Sequence, residues 1–267
     1  MNGERMIAGN SMHVALTVAG SDSGGGAGIQ ADLKTFHALG VFGASAITCI
    51  TAQNPRRVSA VQAVDPRMVG EQIERVLEAF PVAATKTGML YDAAIIETVA
   101  AVFRKRKIKS LVVDPIMVSS SGARLLKKDA IAVFRKKLLP LARVVTPNLS
   151  EAEVLSRKTI RTLDQMRTAA RELVEEFGVP VLVKGGHLKR ARRAVDVLFD
   201  GREFHELTTP MVPNIKTHGT GCTFSAAITA NLALGHDLRE SVRRAKLFVT
   251  HAIRHAVRIG NYHALRI

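Results

Sequence analysis

The sequence has 267 residues, with 38 Lys and Arg against 23 Asp and Glu, giving a formal net charge of +15 and 47% hydrophobic residues. That composition fills a core, excludes general disorder, and permits one large domain or two small ones. Only Cys49 and Cys222 are present, in no C-x-x-C pair, which excludes a zinc ribbon or a disulfide scaffold and suits a reducing compartment.

In chain order, short apolar runs rich in β-branched residues alternate with segments of helical period, the pattern of βαβ units around a parallel sheet covered on both faces. Strands are expected at 13–19, 44–50, 83–86, 110–114, 143–146 and 181–184. Residues 195–199 and 203–207, split by Asp200-Gly201, predict an antiparallel hairpin with a two-residue turn. Helices are expected at 29–38, 68–79, 93–104, 129–138, 163–176, 222–234 and 239–257. No linker, repeat or low-complexity tract interrupts the alternation, so residues 1–267 read as one α/β domain, with 1–12 a flexible N-terminal segment. That segment has no apolar leader and no long uncharged apolar run follows, which predicts a cytoplasmic protein that does not engage a membrane.

The motifs lie where strands hand over to helices, the edge at which open α/β sheets bind ligands. The first is Gly20-Ser21-Asp22-Ser23-Gly24-Gly25-Gly26-Ala27-Gly28, running on to Asp32. So many glycines in one strand-to-helix turn allow close approach to the main chain. The stretch lacks the dinucleotide G-x-G-x-x-G pattern, and no Walker A tripeptide occurs anywhere. Asp114-Pro115 ends a later strand, Asn148 and Glu151 stand one helical turn apart after the next, and Lys184-Gly185-Gly186-His187 closes another. Asn with Glu at that spacing holds a water or a magnesium ion near phosphates, or else Asn148 or Ser150 simply caps a helix.

His218-Gly219-Thr220-Gly221-Cys222 runs into a small-residue helix whose first amides and dipole favour an anion. Cys222 there is either a thiol of lowered pKa, able to act as a base, or a buried small residue behind a turn. His251 and His255 share a helix face without a third ligand and read as surface residues. The basic runs 104–109 and 189–193 sit at element ends, and no aromatic residues interleave with them. The excess charge therefore suits capture of anionic substrates, with no nucleic-acid partner expected.

The strings AGSDSGGGAGIQADLKTFHALG, TAQN, KTGML, VDPIMV, TPNLSEAE, VKGGH and HGTGCTFSAA, in this order, closely resemble the hydroxymethylpyrimidine/phosphomethylpyrimidine kinases of thiamine biosynthesis, in the ribokinase superfamily. The resemblance spans about residues 14–253. It implies a three-layer α/β/α ribokinase-like fold with a mostly parallel sheet, and a cytosolic homodimer. It also implies use of ATP with Mg2+ to phosphorylate the pyrimidine alcohol and then its monophosphate.

Carried over by position, the resemblance places Gly20, Asp32, Gln53, Met89 and Ile116 at the pyrimidine, and Gly219, Thr220, Gly221 and Cys222 in the catalytic anion hole. It assigns Asp114 and Glu151 to magnesium and Asn148 and Lys184 to the nucleotide. Members of the family commonly carry a glycine- and proline-containing segment after the last helix, whereas here no Pro follows Pro213. A related branch phosphorylates pyridoxal, and Gln53 is the residue that favours the pyrimidine over it. A non-catalytic protein on the same fold, binding a ligand or nucleic acid, is the remote alternative.

Overall fold

The computed structural model describes residues 11–118, 122, 124–186, 188, 193–212 and 217–267. Of the expected features, residues 1–10 of the N-terminal segment, His187 and most of the basic run 189–193 lie outside the described residues.

The strands are β1 (Val14–Asp22), β2 (Phe42–Asn54), β3 (Arg57–Ala63), β4 (Val82–Thr87), β5 (Leu111–Val113), β6 (Val144–Val145), β7 (Val181–Val183), β8 (Arg193–Phe199) and β9 (Phe204–Pro210). They form one nine-stranded sheet in the order β3-β2-β1-β4-β5-β6-β7-β8-β9. Strands β2, β1, β4, β5, β6 and β7 pair in parallel in that order, while β3 at one edge and β8 and β9 at the other are antiparallel. The helices are α1 (Gly28–Ala38), α2 (Pro66–Ala79), α3 (Ala93–Lys105), α4 (Ala130–Val133), α5 (Leu149–Ser156), α6 (Leu163–Phe177), α7 (Thr220–Ala233) and α8 (Leu238–Arg254).

The two-residue period of a strand assigns these helices to opposite layers. Leu111 and Val113 of β5 point into a core shared with α2, α3 and α6, whereas Val112 between them packs against α7 and α8. Ala15 and Ala84 contribute to a third cluster with Phe36 of α1 and Ala226, Ala230 and Ala233 of α7. Helix α7 is thereby buried on nearly every side, which explains its run of Ala, Ser and Thr.

Local chemistry sets the boundaries. Asp65, Asp92 and Asp237 cap α2, α3 and α8, and Thr162 with Gln165 forms a capping box on α6. The expected helix at 129–138 is broken: α4 passes into a π turn over Phe134–Leu138 and a 3-10 turn over Leu139–Leu141. Pro140 has no amide to continue an α-helical ladder, and its ring crowds the carbonyl one turn earlier. The hairpin turn is also longer than expected, spanning Asp200 to Glu203, because the Asp200 side chain accepts from the amides of Arg202 and Glu203.

Three elements exceed the sequence reading. Strand β3 returns along β2 after a turn in which Asn54 accepts from the Arg56 and Arg57 amides. Helix α5 begins at a capping box between Asn148 and Glu151. Helix α8 ends at Arg254, ahead of a small antiparallel hairpin of β10 (Val257–Ile259) and β11 (Tyr262–Ala264) that turns at Gly260. This hairpin lies beside the sequence motifs: His263 bridges to Thr217, and Arg56 stacks over the Tyr262 ring at 5.6 Å.

Candidate active site

The C-terminal ends of β1, β2, β4, β5, β6 and β7 and the N-terminus of α7 bring the motifs to one edge of the sheet. Asp22 ties the glycine-rich loop into shape. Its Oδ1 accepts from the Gly24 amide at 2.8 Å, and its Oδ2 from Gly26 at 3.1 Å and Ala27 at 2.8 Å. His218 Nε2 stands 3.2 Å from the same Oδ2. Burial works to raise the Asp22 pKa, but His218 and the loop amides together hold it below the ordinary carboxylate value.

Two glycines permit close backbone approaches here, Gly28 within the loop itself and Gly219 between the loop and the turn at 218–221. Gly28 has φ +57°, and a Cβ there would fall 2.4 Å from the Gly20 carbonyl oxygen. Gly219, the N-cap of α7, has φ +81°, and a Cβ there would fall 1.7 Å from the Gly26 carbonyl oxygen. Behind it, the first turn of α7 presents the amides of Thr220, Gly221 and Cys222 with the positive end of the helix dipole. Lys184 Nζ would lie 3.5 Å from a Cβ on Gly221, so its ammonium rests against this turn.

Asp114, almost wholly buried, accepts from Lys184 Nζ at 2.8 Å and Thr146 Oγ1 at 3.2 Å through Oδ1, and from Ser225 Oγ at 2.9 Å through Oδ2. Burial alone would lower the Lys184 pKa, but Asp114 and Glu151 together more than offset it and keep the ammonium charged. Asn148 and Glu151 each accept the other's backbone amide, at 2.9 and 2.8 Å. The capping role and the site position therefore coexist in the same two residues.

Burial pushes Glu151 up to about 7 from 4.5, with Lys184 opposing and Asp114 reinforcing the shift. The folded state then binds the proton more tightly than the unfolded chain, so the stabilisation is complete below about pH 4.5 and lost as pH rises through about 7. In chelator-treated protein we expect melting temperature to fall across this window, by on the order of 3 kcal/mol in stability. Glu151→Gln should flatten that dependence, and an unchanged slope in the variant would assign it to another group.

At the acceptor end, Gly20 faces Cys49: a Cβ on Gly20 would lie 2.7 Å from Cys49 Sγ and 3.5 Å from Met89 Sδ. Gln53, partly buried, accepts from Thr51 Oγ1 at 3.3 Å and places Nε2 3.0 Å from His218 Nε2. Ile116 meets Gly88 across the same cleft edge, its Cδ1 3.6 Å from a Cβ built there. Asp32, which the resemblance assigns to the pyrimidine, is fully buried. Its Oδ2 accepts from Thr17 Oγ1 at 2.6 Å and Lys86 Nζ at 3.0 Å.

Of the two readings open for Cys222, the structure favours the buried one. Its thiol is buried and accepts from the Gly28 amide, and burial pushes its pKa up to about 12 in spite of the nearby Lys86 charge. Desolvation of a thiolate outweighs the helix terminus here, so the group is a protonated thiol at neutral pH and not a ready base.

Lys86 is the residue that sequence reasoning missed. Its signal was a lysine inside an otherwise apolar and threonine-rich strand, one residue ahead of Thr87-Gly88-Met89. His251 and His255 lie on an exposed face with ring centroids 4.0 Å apart and tilted by 31°, as surface residues do. Two adjoining cavities of 360 and 330 Å³ open at the opposite end of the sheet, around Arg143 and Asp237, and include none of the motif residues. No helix among the described residues is long and apolar enough to cross a membrane.

With the geometry established, comparison with known proteins gives concordant results. A family model described as phosphomethylpyrimidine kinase matches residues 22–265. The thiamine biosynthesis bifunctional protein ThiED of Geobacter sulfurreducens is 49% identical over 93% of this chain, which spans 50% of that protein's length. The hydroxymethylpyrimidine/phosphomethylpyrimidine kinase of Bacillus subtilis is 44% identical over 95% of this chain and 93% of its own. Among solved structures, the ADP complex of Bacillus subtilis pyridoxal kinase superposes with a TM-score of 0.87 at 39% identity, covering 96% of this chain and 97% of that one.

Proposed function

The chain belongs to the phosphomethylpyrimidine kinase family, and from that premise we infer that it transfers phosphate from ATP to 4-amino-5-hydroxymethyl-2-methylpyrimidine and then to the resulting monophosphate, in thiamine biosynthesis. The observation that carries this reading is the seating of Gly219 against the Gly26 carbonyl, which sets the acceptor loop directly against the anion turn. Phosphoryl transfer asks little covalent chemistry of the protein and rests on positioning and on stabilising charge.

In this reading Gly219, Thr220, Gly221 and Cys222 supply backbone amides to the transferring phosphoryl oxygens, and Lys184 adds positive charge beside them. Gln53, Asp32, Gly20, Met89 and Ile116 seat the heteroaromatic acceptor, where an amide and a carboxylate together read its donor and acceptor edges. Asn148 contacts the nucleotide side. Cys222 contributes position more than basicity, since its thiol keeps its proton. In the second transfer the attacking group is already an oxyanion and needs no base.

Magnesium fits the donor set. Asp114 and Glu151 offer hard carboxylate oxygens, and their mutual repulsion contributes to the raised Glu151 pKa that a cation would relieve. Among the described residues no group of three or more His, Cys, Asp or Glu gathers, so the protein would hold such an ion through two carboxylates, with phosphate and water completing its shell. When bound, the ion neutralises charge on the phosphates. We further propose one domain over residues 1–267 acting as a cytoplasmic homodimer, without a nucleic-acid or membrane partner. The single continuous sheet supports the one-domain reading.

The second reading, a pyridoxal kinase, is favoured by the likeness to the Bacillus subtilis enzyme. A coupled ADP-release assay with MgATP and, separately, the pyrimidine alcohol, its monophosphate and pyridoxal decides between them. We expect turnover on both pyrimidines, with Gln53→Met lowering kcat/KM more for the pyrimidine alcohol than for pyridoxal. Turnover on pyridoxal alone would replace the first reading with the second, and silence on all three would favour a non-catalytic binding protein.

A further inference from the structure

Lys86 and Asp32 form an ion pair whose side chains are both 0% exposed. Removing two charges from water costs more than their attraction commonly returns, and apolar replacements of similar volume often fold as well or better, so such a pair is weak evidence of a purely structural role. The pair is also incomplete. Asp32 Oδ2 takes both donors, Lys86 and Thr17, while Oδ1 is buried and finds no partner among the described residues. An ammonium can donate three bonds, and Asp32 is its one hydrogen-bond acceptor among the described residues.

The pair lies under the acceptor end of the site. A Cβ on Gly88 would fall 3.1 Å from Lys86 Nζ and 2.9 Å from Ala19 Cβ, with Ile116 beyond, so Gly88 leaves the ammonium close to the surface that Ile116 and Met89 form. Asp32 itself sits on α1 one turn after Gly28, whose amide meets the Cys222 thiol. Building on the kinase reading above, we propose that Lys86 is a positioning residue of the acceptor site. It fixes Asp32 through Oδ2, and leaves Oδ1 to accept a hydrogen bond from an N–H-bearing heteroaromatic alcohol. Selectivity then favours amino- or ring-protonated heterocycles over plain sugar alcohols, which bring no such donor at that depth.

The charged and polar groups facing Asp32 are Thr17 from β1, Lys86 from β4, Asp114 from the end of β5 and Cys222 from α7. Removing the Lys86 cation leaves a buried carboxyl facing Asp114, so its ionisation moves to higher pH. The test uses Lys86→Met and Lys86→Gln in the full chain, with Lys86→Gln read alone should Lys86→Met fail to fold by its melting curve. Acceptor KM, ATP KM and the pH profile of kcat/KM are compared with the wild type on the aminopyrimidine alcohol.

We expect acceptor KM to rise about tenfold or more with ATP KM within about twofold, and kcat/KM for the acceptor to gain a limb that rises with pH. An unchanged acceptor KM in a folded variant, or both KM values rising together without the new limb, would overturn the role of Lys86. Wild-type silence on the aminopyrimidine alongside turnover of pyridoxal overturns the substrate reading alone, and the same comparison on pyridoxal then decides Lys86. Silence on both overturns both.

Discussion

Gly219→Ala is expected to lower kcat by about two to three orders of magnitude, the scale seen when oxyanion-binding amides are lost. The added methyl would meet the Gly26 carbonyl oxygen at 1.7 Å, the Gly26 carbonyl carbon at 2.8 Å and Ala27 Cα at 3.4 Å. These are backbone atoms, held in turn by Asp22, so the collision cannot be relieved by a side-chain rotation. The loop and the turn must separate, and the amides at the start of α7 lose their aim. Gly235→Ala is the control. Its φ of +88° carries the same left-handed penalty, about 1–2 kcal/mol, but nothing lies within 4 Å of its new Cβ. It should lower the melting temperature and leave kcat alone. If Gly219→Ala loses no more activity than Gly235→Ala, the interlock is not what sets the anion turn.

The contrast between these glycines also shows what a sequence can report. Glycine density flags the 20–28 stretch, because φ freedom is a local property, but that Gly219 faces the Gly26 carbonyl while Gly235 faces open space is decided by a loop almost two hundred residues before Gly219. The parallel core strands are legible for a similar reason: β5 and β7 are apolar on both faces and need no partner to be recognised. Strand β3 is not, since Arg57, Ser59 and Gln62 leave it without an apolar face and its register comes from pairing with β2. Helix α8 was expected to run to 257, but its side-chain pattern cannot sense the bridge from His263 to Thr217 that anchors the hairpin after Arg254.

The site divides along the same line. Asp22 and Asp32 look alike in sequence, as paired acids around one loop, yet one knots the loop while the other disappears beneath it. Cys222 reverses more sharply. Its place at a helix N-terminus is visible in the sequence and argues for a lowered pKa, whereas its burial, which is tertiary, dominates and raises it. Lys86 escaped notice altogether because a lysine at a strand end ordinarily reaches water. Only the packing of α1 and Gly88 around it shows that it does not.

Lys184→Met should separate stability from nucleotide use. The change leaves Asp114 and Glu151 as two buried acids without their cation, and breaking a buried pair in this way costs about 3–5 kcal/mol. Lys184→Met with Asp114→Asn removes the uncompensated charge and should recover most of the lost melting temperature, since Thr146 and Ser225 can still bond the amide. Activity of the single variant reports a different quantity. The ammonium rests against Gly221 in the anion turn and not beside Gln53 or Met89, so ATP KM should rise and kcat fall by about a hundredfold while acceptor KM holds. A rise confined to acceptor KM would move Lys184 to the other end of the site. A single variant that melts like the wild type would mean that the pair is retained for the phosphate it faces and not for the fold.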